Sequence, residues 1–145
     1  MALDLKTQYG SAGQVITIGL NDLADDGVVI SSAVDNSLNL FNEVLAQIIV
    51  NAGAGASGVM SAFAIGSIDG GVTFPDTVND ELHPIGIWNV TSEAVFNSPL
   101  FSVSLAFGFK LPQFWKLVVR NETGAALKSS GNSAKYQGIL GQYTT

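Results

Sequence analysis

The chain contains no cysteine and a single histidine, His83. Without cysteine there are no disulfides, thiolate zinc sites, iron–sulfur clusters or thiol chemistry. Charge is scarce as well: Asp, Glu, Lys and Arg make up 12% of the 145 residues, against about 25% in an average soluble domain. Basic residues number six and the net charge is −6, which argues against nucleic-acid binding, since that relies on Lys and Arg meeting phosphates. No apolar run is long enough to span a membrane. Val44 to Ile68 carries no charge, but Gln47, Asn51 and the cluster Gly53, Gly55, Ser57 and Gly58 divide it into two short pieces. It reads as strand, loop, strand. The first residues include Asp4 and Lys6 with no apolar stretch, so no secretory leader is expected.

What is present is mostly apolar, 47% of residues. A single domain of this length buries about 68–70% of the surface its unfolded chain exposes, so it needs no covalent or metal staple. So few charges leave much uncharged surface, the kind that neighbouring subunits cover. The charges that exist are unevenly placed. Five of the six basic residues (Lys110, Lys116, Arg120, Lys128 and Lys135) lie beyond position 109, where Glu122 is the only acid.

Hydrophobic periodicity is two almost throughout, the period of strands with one buried face. The clearest alternation runs from Phe101 to Phe109, with Phe101, Val103, Leu105, Phe107 and Phe109 on one face and Ser102, Ser104, Ala106 and Gly108 on the other. Lys110-Leu111-Pro112 stops it, because proline cannot donate to a ladder. Trp115, Leu117 and Val119 then alternate with Lys116, Val118 and Arg120. Together these stretches predict a central hairpin, closed by a turn at Asn121–Gly124. Further strands are predicted at Gln14–Leu20, Val28–Val34, Met60–Ile68, Ile85–Val90 and Tyr136–Ile139. Leu38–Val50 fits both a helical and a strand pattern, and is read as strand because Gly and Asn follow it directly. Residues 1–13 show no period and read as an N-terminal arm. Residues 14–145 are expected to form one all-β domain of seven or eight strands, a β-sandwich or jelly roll.

No motif carries chemistry. Gly53, Gly55 and Gly58 spell GxGxxG, but the fingerprint requires a helix after it, and Met60–Ile68 is a short strand ending in the turn Asp69-Gly70-Gly71. Those glycines are read as a hairpin loop. Asp69, Asp76, Asp80 and Glu81 lack the spacing of a calcium loop. His83 stands in a loop beside Pro84, with no nucleophile elbow in the chain. No catalytic, cofactor or metal site is therefore expected. Trp88, Trp115, Phe74 and Tyr136 are expected to be core rather than a sugar-binding platform. The candidate partner-binding residues are Lys116 and Arg120, about 13 Å apart on an extended strand. With Lys110, Lys128 and Lys135 they are expected to form a basic edge. Ser102, Ser104 and Ala106 are expected to offer an uncharged strand face for close backbone approach.

Four stretches resemble a family of small all-β virion proteins of tailed bacteriophages. They are Val15–Asn36, Ala64–Asp76 (AIGSIDGGVTFPD), Leu100–Gly108 and Leu111–Ile139, which includes PQFW, NETG and KYQGI. The resemblance implies a β-sandwich or jelly-roll subunit that decorates or cements the particle. Its implied partners are the major capsid protein and its own copies, often as a trimer. The implied location is the capsid surface of the virion, and no catalytic residues come with the resemblance; with the charge and hydropathy above, the partners expected include no nucleic acid and no membrane, and no cofactor is expected. A tail, baseplate or fibre component is the alternative within the same class, and a carbohydrate- or receptor-binding module the alternative outside it.

Overall fold

The computed structural model describes residues 4–76 and 82–144. Thr77 to Glu81, part of a predicted loop, lie outside the described residues, and so do Asp80 and Glu81 as candidate ligands. Among the described residues the chain forms strands and one short 3₁₀ helix, with no α-helix. Two antiparallel sheets face each other. In the first, β1 (Asp4–Tyr9) and β2 (Gln14–Ile16) pair with β11 (Ser133–Thr144). That strand pairs on with β5 (Glu43–Asn51), which in turn pairs with β8 (Val95–Asn97) and β9 (Phe101–Ser102). In the second, β3 (Val28–Ile30) and β4 (Val34–Asp35) pair with β10 (Phe114–Glu122). It is followed by β6 (Gly58–Ser67) and β7 (Gly86–Val90).

Period-two burial holds best in the central strands. In β5, Val44, Ala46, Ile48 and Val50 are buried while the residues between them are half-exposed. Trp115, Leu117 and Val119 of β10 face the same core as Met60, Ala62 and Ala64 of β6 and Trp88 and Val90 of β7. The Trp115 ring is fully buried and meets Tyr136 of the other sheet edge-on, centroids 5.7 Å apart. A smaller cluster lies on the outer face of the second sheet. There Phe63, Ile65 and Val118 are covered by Phe74 and Leu82.

The structure corrects several sequence expectations. Beyond Ser102, the Phe101–Phe109 alternation is not strand: Ser104–Phe107 is a 3₁₀ helix, and Gly108 and Phe109 both take left-handed backbone at φ 64°. The cause lies far away in the chain. The Glu43 carboxylate accepts hydrogen bonds from the Ser102 hydroxyl at 2.7 Å, from the Ser104 N–H at 3.2 Å and from the Ser104 hydroxyl, pulling the segment out of extended geometry. Nor is there a central hairpin, since β9 and β10 belong to different sheets. The glycines at 53–58 likewise carry the chain from β5 across to β6 in the opposite sheet, so they form a crossover and not a hairpin loop.

Val28–Val34 is broken at Ser31, whose hydroxyl accepts from the Leu117 N–H and donates to the Ser32 carbonyl. The strand expected at Gln14–Leu20 ends at Ile16, and the one expected within Leu38–Val50 starts at Glu43. Residues Asp4–Tyr9, within the stretch read as an arm, pair with the far half of β11. Asn121 is not a turn residue. It is buried, and its amide donates to the carbonyls of Leu23, Ala24 and Ala125 while accepting from Thr123.

Candidate functional site

Lys116 and Arg120 do share the outer face of β10, as their spacing requires. Each lies over an aromatic ring: the Lys116 ammonium is 4.1 Å from the Phe74 centroid and the Arg120 guanidinium 5.8 Å from that of Phe63. Their stems therefore cover the outer apolar cluster, while their charge is stabilised by the ring faces. The other basic residues expected along this edge sit on three different segments. Lys135 points outward from β11 in the opposite sheet. Lys128 pairs with Glu93 at 2.7 Å near the end of β5, and Lys110 sits in the loop before β10. Lys135 and Lys128 therefore do not share the outer face of β10 with Lys116 and Arg120.

Ser102 and Ser104 come together, but on Glu43 rather than on an open face. Ser104 is buried and Ser102 half-buried. Burial pushes the Glu43 carboxyl upward, yet the hydrogen bonds from Ser104, Ser102 and the Val44 N–H outweigh it and hold the group below its ordinary value. Both hydroxyls are committed as donors to a carboxylate, so the cluster acts as a pin between β5 and the segment after β9. Asp69 is similarly occupied. Its carboxylate accepts from the Ser67 hydroxyl at 2.6 Å and from the N–H groups of Thr73 and Val72 at 2.9 and 3.1 Å, which holds it well below the carboxylate range. Among the described residues no three His, Asp or Glu side chains are gathered as metal ligands. No helix among them is long and apolar enough to cross a membrane. Of the four aromatics weighed as a sugar platform, Trp88, Trp115 and Tyr136 are buried and Phe74 is half-buried.

The feature that periodicity missed is at one end of the sandwich. Asp35, Ser67 and Phe114 are cross-strand neighbours, so the loops that follow Asp35 and Ser67 and the one that precedes Phe114 leave the same end. They expose Leu38, Leu40, Ile68, Val72, Leu105 and Phe109. Two of these, Leu40 and Phe109, sit at φ 51° and 64°, a conformation that costs a residue with a Cβ about 1–2 kcal/mol. Two grooves open between the loops. One of about 310 Å³ is lined by Leu40, Phe41 and Leu111. The other, of about 420 Å³, runs between Ile68, Pro75, Leu82, Phe107 and Pro112. The opposite end carries Asp22, Asp25 and Asp26 exposed in the Asn21–Gly27 loop, with Val28 and Val95 exposed beside them. The only hint in the sequence was large apolar residues among turn formers, as in NSLNL and SIDGGV. No protein-family model matches this chain, and no curated protein matches it.

Proposed function

We propose that the chain is a structural subunit of a bacteriophage particle, a decoration or cement protein that binds the major capsid protein and its own copies on the virion surface. The observation that carries this reading is the gathering of six exposed apolar side chains and two grooves on the loops at one end, with three exposed aspartates at the other. A subunit that had only to stay dissolved would gain nothing from six exposed apolar side chains on one set of loops. Holding then comes from apolar area removed from water, repeated over many copies, with no covalent step.

The strand arrangement supports a jelly-roll reading. Taking β1/β2, β3/β4 and β8/β9 each as one interrupted strand, the eight rows numbered along the chain fall in the order 1-8-3-6 in one sheet and 2-7-4-5 in the other. Two interleaved Greek keys of this kind define that architecture, which is common in viral shells. A homotrimer on the capsid is the assembly this reading expects. The test is cryo-electron microscopy of particles carrying the protein, with the chain fitted to the density. Density on the capsid surface is the expected result. Density confined to tail, baseplate or fibre, or absence from the particle, would replace the proposal.

A further inference from the structure

At the apolar end a knob stands beside a groove. Phe109 is 69% exposed, and its backbone is held by two consecutive left-handed residues and by its N–H donating to the Ser104 carbonyl at 2.9 Å. Such a conformation in a phenylalanine persists only where surrounding contacts impose it. Next to it is the groove of about 420 Å³, walled by Ile65, Ile68, Pro75, Leu82, Phe107 and Pro112. Gly66 keeps that groove open at its base. A Cβ there would come within 2.6 Å of Pro112 and 3.0 Å of Phe107, so any side chain would displace the wall.

The rim carries charge of both signs. Lys110, adjacent to the knob in sequence, lines the groove. Asp69 follows Ile68 and is exposed, its ionised form fixed by the hydrogen bonds from Ser67, Thr73 and Val72. Knob and groove thus share one surface, together with a cation and an anion. A surface that carries both knob and groove can seat copies of itself, as a two-fold pair or as a closed ring in which each copy gives its knob to the next.

We propose that this end is a self-association surface in which Phe109 of one copy enters the Ile65–Pro112 groove of a second copy, with Lys110 drawn to the second copy's Asp69. The inference rests on the reading of the chain as a self-associating structural subunit, and it names the face that does the associating. The absence of cysteine makes the test clean, because each introduced thiol reports on one position. Sedimentation velocity on the purified full chain, over a concentration series, should show an oligomer. Phe109→Asp should raise its dissociation constant about tenfold or more, the scale of losing an interface anchor, and Lys110→Glu should raise it by about two- to fivefold, the scale of a rim ion pair. Phe109→Asn, which tolerates left-handed backbone, should do the same with the fold intact by thermal melting. Val15→Asp, at an exposed position on β2 of the other sheet, should leave association unchanged. Under oxidation, Phe109→Cys copies mixed with Ile68→Cys copies should cross-link faster than Phe109→Cys mixed with Val15→Cys. A monomer at every concentration, an oligomer indifferent to the Phe109 variants, or cross-linking without preference for Ile68→Cys would overturn the contact. Particle attachment is read separately: a monomeric wild type that still attaches sinks this interface alone, and a wild type that fails to attach sinks the decoration role itself.

Discussion

At the scale of single residues, the fold depends on a few positions where nothing else fits. Trp115 is fully enclosed between the sheets, so Trp115→Ala should lower stability by about 3–5 kcal/mol in a denaturant titration. Gly138 is a less obvious case. The Phe41 ring lies where a Cβ would stand on this strand, and it also crowds Gly10, so even Gly138→Ala must displace a packed aromatic. Overpacking of this kind costs about 1–3 kcal/mol, and a Phe41→Leu background should restore part of the loss. Phe109 behaves oppositely. It is exposed and strained, so Phe109→Asn should hold or raise the melting temperature even as it removes a large apolar ring. Association would then fall with no loss of stability, which ordinary core damage cannot produce.

At the scale of elements, the Glu43 pin decides the shape of the segment after β9, and its charge gives that segment a pH dependence. A carboxyl held below its ordinary value contributes stability that is complete above its unfolded value, near pH 4.3. That contribution is lost as pH falls through the lower folded value. The stability difference between wild type and Glu43→Gln should therefore be constant at neutral pH and shrink as pH falls below about 4.3. A difference that does not change from pH 7 to pH 3 would mean that the hydroxyls bind the side chain irrespective of charge. The same segment shows what could and could not be read from the chain. In β5 the alternation coincides with burial throughout, and in β10 it does so apart from Val118, which the outer cluster covers; these elements were legible because periodicity and packing agree. From Phe101 to Phe109 the alternation is equally regular, yet the partner that reshapes it is some sixty positions earlier, where local pattern carries no information. Periodicity also marks a buried face without naming the sheet, which is why two crossovers read as hairpins. The apolar end was illegible for a related reason: Leu38, Ile68 and Phe109 converge only through the pairing of Asp35, Ser67 and Phe114.

At the scale of the whole molecule, the Lys116–Arg120 face and the exposed apolar loops are different surfaces, and this sets how salt should act on attachment to a particle. Lys116 and Arg120 lie on the outer face of the second sheet, over Phe74 and Phe63, while the exposed apolar loops occupy one end. Exposed ion pairs contribute about 0–1 kcal/mol each, so charge should govern the rate and register of docking more than its final strength. Apolar contact is not screened by salt. Raising salt should therefore slow the attachment of free subunits and leave bound subunits in place, as read by pelleting particles and assaying the supernatant. Substituting Lys116 and Arg120 also removes the stems that cover the outer cluster, so two variants are needed to separate the effects. Lys116→Gln/Arg120→Gln keeps much of the covering stem and removes the charge, and it should attach more slowly with reduced dependence on salt. Lys116→Glu/Arg120→Glu reverses the charge and should attach more slowly still against an acidic neighbour. Wild-type release at moderate salt would show that electrostatics, not buried apolar area, hold the subunit on the particle. Normal attachment rates for both double variants would instead remove the Lys116–Arg120 face from docking, leaving those two residues as cover for the cluster around Phe63.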